Sequence, residues 1–287
     1  MAGSLAARRR RLIGRILTYI FLSIFGIFFA FPLFWTFSSS LQTWQELRSY
    51  IPHLLPSVPQ WGNYAKVFQI IPFHRWMLNS LTIIAIAVPG AIITSTMVAY
   101  AFARFNFPEK NIWFIILLGT MMIPSQVTFI PQYILFFRLK LVNTYAPLTL
   151  GSWLGGGAFN IFLLRQFIMS IPRDLDEAAI IDGAGPFRIL WQVLVPLMRP
   201  ALTTVAILGF QHHWNDFFGP FIYLTKPNLF TAAIGVRYFK LLPMEGGEPK
   251  DHLLMASAAI MTIPVLIVFA AAQQYFVSGV VMTGLKF

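Results

Sequence analysis

Few side chains in this sequence are equipped for chemistry, and their spacing limits what they could do. His212, His213 and Asp216 stand four and three residues apart. On a helix they share one face, the arrangement a divalent metal would need. Asp216 is the only acid inside an otherwise apolar stretch and lies near its end. A helix-end hydrogen bond or pairing with a loop Arg is therefore the expectation for Asp216, and no metal is expected. Ser38–Ser40 and the scattered histidines do not supply a nucleophile with a base and a third, orienting group. The chain has no cysteine, which excludes thiol catalysis, disulfides and thiolate-held zinc. It also lacks a Gly-x-x-x-x-Gly-Lys-[Ser/Thr] phosphate loop. No catalytic residue, bound cofactor or enzyme activity is expected of it.

The acids that do cluster are Asp174, Asp176, Glu177 and Asp182, four of the ten in the chain. They lie in Ile171-Pro172-Arg173-Asp174-Leu175-Asp176-Glu177-Ala178-Ala179-Ile180-Ile181-Asp182-Gly183-Ala184. Pro172 closes a preceding helix. Asp174 is placed to cap a new one, with Glu177 completing a capping box. Ala178 and Ala179 keep one face small enough for another surface to approach. Gly183 permits the left-handed conformation that ends a short helix. Pro186 suits the first position of a second helix, which runs through Phe187, Leu190 and Leu194 until Pro196 stops it. The product is a helix–turn–helix with an apolar side that the segment cannot bury by itself. On charge alone it is either a solvated loop or a contact for a soluble partner.

The elements that position this segment follow from where charge is missing. Of the 287 residues, 57% are hydrophobic and 11% charged, against roughly 25% charged in soluble domains. The fold class is therefore an all-α integral membrane protein. Six largely uncharged stretches approach the ~20 residues a spanning helix needs: Ile16–Phe37, Trp76–Ala103, Asn111–Phe137, Leu141–Leu164, Pro200–Thr225 interrupted by Asp216, and a sixth within Leu253–Leu285 ending near Phe276. A strand barrel would need shorter runs with period-two alternation. The net charge of +11 is read as Lys and Arg at lipid headgroups, not as a nucleic-acid surface.

Arg8, Arg9, Arg10, Arg11 and Arg15 precede the first stretch with no acid among them. They predict a cytoplasmic N-terminus and an uncleaved anchor. Six spans return the C-terminus to the cytoplasm. The helix–turn–helix, within 165–199, then lies on the cytoplasmic side. Two Pro- and aromatic-rich loops, 38–75 and 226–251, lie outside. The expected organisation is an anchor helix with its outer loop (1–75), a membrane core (76–279) containing the loop 172–196, and a cytoplasmic tail (280–287).

Glu177-Ala178-Ala179, then Gly183, Val193, Val195 and Pro196, resemble the coupling motif of ABC importer permeases, with Val at two positions where Ile and Leu are usual. Trp61-Gly62-Asn63-Tyr64, Trp76-Met77-Leu78-Asn79-Ser80 and Ala99-Tyr100-Ala101-Phe102-Ala103-Arg104-Phe105 extend the resemblance. So do Met121-Met122-Ile123-Pro124, Phe162-Leu163-Leu164-Arg165-Gln166-Phe167 and Trp214-Asn215-Asp216-Phe217-Phe218. Together they are similar to the six-span, MalG-like permeases of carbohydrate importers. Gly279–Lys286 is similar to that family's tail, with one Gly shifted by a position.

The resemblance implies a type I ABC importer permease fold in the cell (inner) membrane. It implies a homologous second permease as heterodimer partner, two ATPase subunits binding ATP and Mg, and an extracytoplasmic sugar-binding protein. It assigns ATPase coupling to Glu177, Ala178, Ala179, Asp182, Gly183 and Pro196. Sugars, polyols and glycerol phosphates are all compatible cargoes. An ion-coupled secondary transporter is the competing class, but it needs buried ionisable groups that this sequence barely supplies.

Helical rise of ~1.5 Å per residue puts Gln126 near mid-membrane in the third stretch and Gly155, Gly156, Gly157 and Asn160 near mid-membrane in the fourth. Pro124, Pro131 and the three glycines would loosen these helices and free carbonyls to line a polar path. Close helix packing is the other reading of the glycines. Trp153 either stacks on a sugar face or meets lipid. Gln126, Trp153, Gly156 and Asn160 are the candidate path residues.

Overall fold

The computed structural model describes residues 2–241 and 248–284. Among them the secondary structure is helical. Fifteen α-helical segments, a π turn and a 3-10 turn follow one another along the chain. Residues 242–247, which include the expected Pro243 of the second outer loop, and the tail residues 285–287 lie outside the described residues. The chain divides into two units, 1–71 with 236–260, and 72–235 with 261–287.

The first unit begins with α1 (Ala2–Ser40). From Leu12 to Ser40 its mean hydropathy is 2.2, and its large side chains from Leu12 to Phe34 are exposed. A helix apolar on every side is suited to lipid. Beyond it the chain turns through α2 (Trp44–Leu47) and α3 (Gly62–Ile70). Buried amides tie this turn together. Asn63 Nδ2 donates to the carbonyls of Ser40 and Gln42 at 2.9 and 3.0 Å, and Gln42 Nε2 to that of His53 at 2.7 Å. Glu46 accepts from the backbone N–H groups of Thr43 and Ser57, both at 2.9 Å.

The second unit is organised on α4 (Phe73–Arg104). Its buried face is Ala87, Gly90, Ala91, Ser95, Thr96, Ala99 and Ala103, small residues that let other backbones approach closely. Against it pack α7 (Ala146–Trp153), α8 (Ala158–Ser170) and α12 (Arg199–Asn215). Thr94 Oγ1 donates across the α4–α7 contact to the Ser152 carbonyl at 3.0 Å. Toward the Arg104 end, Tyr100, Leu164, Ile168, Leu190, Leu194, Met198 and Val205 form one buried apolar cluster.

The expected stretches map onto these helices with two revisions. Four helices are long and apolar enough to span: Leu12–Ser40, Phe73–Arg104, Ala146–Ser170 and Asp251–Gln273. A bent pair, Pro186–Leu197 with Arg199–Asn215, would make a fifth. The third expected span is not one helix. It is α5 (Lys110–Thr120) and α6 (Ser125–Arg138), broken at 121–124. Pro124 has no N–H to give and disfavours helix in the residue before it. It is held extended, at ψ 131°. The sixth stretch runs on as α15 (Asp251–Gly284) through Pro264, past the expected end near Phe276.

Candidate functional site

The helix–turn–helix is present. Its first helix, α9 (Asp174–Ile181), is capped differently from expectation. The cap position is Arg173, already helical, and no side-chain capping bond forms. The Arg173 carbonyl accepts from Asp176 N at 2.8 Å and Glu177 N at 3.0 Å, so Asp174 sits one residue inside the helix. The expected capping box is therefore not made. Asp174, Asp176 and Glu177 still face the positive end of the helix dipole.

The other end follows the sequence pattern. Gly183 has φ +77°. Gly183 N–H donates to Ile180 O and Ala184 N–H to Ala179 O, both at 2.9 Å, the paired bonds of a Schellman turn. Pro186 opens the second helix at α10 (Pro186–Arg188). This passes into a π turn, Ile189–Leu194, and then α11 (Val195–Leu197). Pro196 does not stop the helix. The wide turn before it relieves the clash a proline ring makes with the preceding turn, and the chain bends only after Leu197, by 81° into α12.

This pair has two faces. Inward, Asp176, Ile189, Leu190 and Leu194 are buried and Ala179 is half-buried. Outward, Glu177, Ala178, Asp182, Gly183 and Pro196 are exposed, beside Ile180, Ile181 (86% exposed), Phe187 and Trp191. The last four form an apolar surface with nothing from the described residues over it.

The inward face carries a contact that sequence reasoning missed. Arg104, in the last turn of α4, places Nε 2.6 Å from Asp176 Oδ2. Both side chains are about nine-tenths buried. The guanidinium also donates to the Ile171 carbonyl at 3.0 Å. The Nε–H does not point along the line to the carboxylate, so the pair is held by charge at short range, and neither Asp176 oxygen receives a directed hydrogen bond from the described residues. The sequence holds a signal for it. Asp176 and Ala179 are three apart on one helix face, and that face turns inward.

Of the candidate path residues, Gly156 and Asn160 line one cleft of about 470 Å³ between α4, α7, α8 and α12. Gln126 and Trp153 are not among its lining. The break between α7 and α8 has Gly155, Gly156 and Gly157 all at positive φ. Gly156 does both things expected of such glycines. It bends the helix, and its Cα lies so close to the Ala91 carbonyl that a Cβ would overlap it. Asn160 Nδ2 takes up the freed Gly156 carbonyl at 2.7 Å. His212 and His213, the latter half-buried, enter the same cleft with Ser152, their rings 5.0 Å apart.

Gln126 lies exposed in the first turn of α6. Trp153 donates its Nε1–H to the Ile86 carbonyl at 3.0 Å. Asp216 lies just past the end of α12, not within a span, and its carboxylate accepts from Gly219 N–H at 3.1 Å. That is the helix-end hydrogen bond anticipated for it. Among the described residues no three His, Asp or Glu side chains converge on a point a metal could occupy. The cleft thus offers neutral donors and acceptors in a wall of glycine and aliphatic groups, suited to a polar, uncharged ligand.

Residues 91–281 match the family described as binding-protein-dependent transport system inner membrane component. Over 275 residues the chain is 30% identical to the arabinooligosaccharides transport system permease protein AraQ of Bacillus subtilis, covering 95% of this chain and 96% of that one. Over 257 residues it is 31% identical to the sn-glycerol-3-phosphate transport system permease protein UgpE of Pectobacterium atrosepticum, covering 88% and 90%. Among solved structures it is similar to a bacterial ABC transporter involved in the import of the acidic polysaccharide alginate. That match has a TM-score of 0.79 at 25% identity, over 93% of this chain and 97% of that one.

Proposed function

The chain belongs to the family of binding-protein-dependent transport system inner membrane components, and from that premise we propose that it is the permease subunit of an ATP-driven sugar importer. In this reading it forms half of a translocation path. The other half comes from a homologous second permease. Two ATPase subunits bind ATP and Mg beneath the cytoplasmic face, and an extracytoplasmic binding protein delivers the sugar. Both termini are cytoplasmic in the inner membrane, following the N-terminal arginines.

The observation that carries the proposal is the outward face of the α9–α10 pair. Glu177 stands at its start, the Gly183 turn fixes its shape, and Ile180, Ile181, Phe187 and Trp191 offer an apolar surface to a soluble subunit. ATP-driven closure of the ATPases moves this rigid pair, and the motion opens and closes the cleft around Asn160, His212 and His213. Sugar hydroxyls meet the neutral polar groups there.

The similarity to UgpE supports glycerol phosphate as the competing cargo. The test of the class is copurification of the tagged chain with an ATPase and a second permease. Glu177→Arg is expected to remove the ATPase and leave the second permease bound. Sugar uptake by the purified chain alone, without an ATPase, would overturn the proposal.

A further inference from the structure

The α9 helix is gripped from two sides, and only one of them is accounted for by ATPase docking. Its outward face holds Glu177. Its inward face holds Asp176, one residue earlier, locked against Arg104 at 2.6 Å. Arg104 is the last residue of α4. Thirteen residues back along that helix, ~20 Å by helical rise, Ala91 forms a wall of the cleft and touches the Gly156 backbone. We propose that the Arg104–Asp176 ion pair is the joint that passes displacement of α9 into α4, making these two residues positioning residues for transport. The inference rests on the coupling role proposed above for α9 and names the route by which that role reaches the cleft.

Three observations carry it. First, the pair spans 72 positions of sequence and joins the docking segment to the helix at the centre of the unit. The chain's own route between them runs through α5, α6 and the α7–α8 break, where Met121–Pro124 and Gly155–Gly157 interrupt the helices. A push cannot travel rigidly by that path. Second, Arg104 also holds the Ile171 carbonyl at the end of α8, so one guanidinium gathers α4, α8 and α9. Third, the charges are buried, where their attraction is little screened by water or salt. An exposed pair would slip under load.

The chain has no cysteine, which makes a labelling test direct. Ser152→Cys puts one thiol on this chain at the cleft. The complex copurifying with that variant is reconstituted in vesicles and treated with a membrane-impermeant maleimide, with and without ATP–vanadate trapping. Trapping is expected to change the labelling rate of position 152 at least fivefold. With Asp176→Asn added, the ATPase remains bound and the change falls below twofold. With Arg104→Asp and Asp176→Arg together, the change returns above fivefold.

A fivefold change persisting in Asp176→Asn overturns the inference. So does an assembled double variant that stays below twofold. Should Asp176→Asn fail to assemble, the double variant decides alone: a restored response supports the joint, and failure to assemble assigns the pair to folding and overturns it. If the Ser152→Cys chain recruits no ATPase, or recruits one without any response to trapping, the coupling role itself falls. That outcome differs from an intact response surviving loss of the ion pair.

Discussion

The ring of Trp153 lies over Gly90. A Cβ at position 90 would come within 2.6 Å of the indole, and the same indole donates to the Ile86 carbonyl at 3.0 Å. The tryptophan is thereby committed to the α4–α7 contact. Trp153→Phe is expected to cost about 1 kcal/mol, one hydrogen bond's net worth, and Gly90→Val about 1–3 kcal/mol through overpacking. Thermal unfolding in detergent measures both. The KM for uptake should stay unchanged in Trp153→Phe and rise in His213→Ala, because His213 lines the cleft and Trp153 does not.

The two glycines at the α7–α8 break separate backbone strain from crowding. Gly155 has φ +106° and open space around its Cα, whereas Gly156 has φ +68° and the Ala91 backbone against it. Gly155→Ala should cost only the left-handed penalty, about 1–2 kcal/mol. Gly156→Ala adds a clash with a carbonyl that no rotamer relieves, so its unfolding temperature should fall further than that of Gly155→Ala.

Gly183 stands in open space at φ +77°, so its substitution tests the turn without disturbing packing. Gly183→Asn should keep the Schellman turn and ATPase copurification, since Asn tolerates this region. Gly183→Val should lose copurification while the chain still folds. Ile181→Asp, at a side chain 86% exposed, should also abolish ATPase binding with no loss of thermal stability.

The loop after α1 is set by one carboxylate. Backbone N–H groups of Thr43 and Ser57 hold Glu46 well below its ordinary value of 4.5, at about 2. The folded loop therefore binds the proton less readily than the unfolded one. Its extra stability is fully present above pH about 4.5 and is lost as pH falls toward about 2. Hydrogen exchange at the Ser57 amide should accelerate through that window. In Glu46→Gln the exchange should be fast throughout and insensitive to this titration.

Glycine and proline made much of the site legible. Gly183 and Pro186 announced the turn between the two short helices because only a few residues accept those backbone angles. Gly155–Gly157 announced the helix break for the same reason. Local chemistry was less informative where a neighbour distant in sequence decides. Asp174 read as a cap, but the chain enters α9 already helical at Arg173. Arg104 and Asp176 each looked like an ordinary charge at a membrane edge, and nothing in either neighbourhood foretold their pairing. The third apolar stretch read as one span because hydropathy is blind to the break that Pro124 imposes.

The π turn at Ile189–Leu194 sets how this region tolerates changes in length. It holds one residue more than an ordinary turn would, so deleting a single residue there lets the backbone close into regular α-helix instead of melting it. Everything downstream would then swing by ~100° about the helix axis, and the 81° elbow into α12 would aim His212 and His213 at a different wall. A shortened chain of this kind would fold and insert, yet present its histidines out of register.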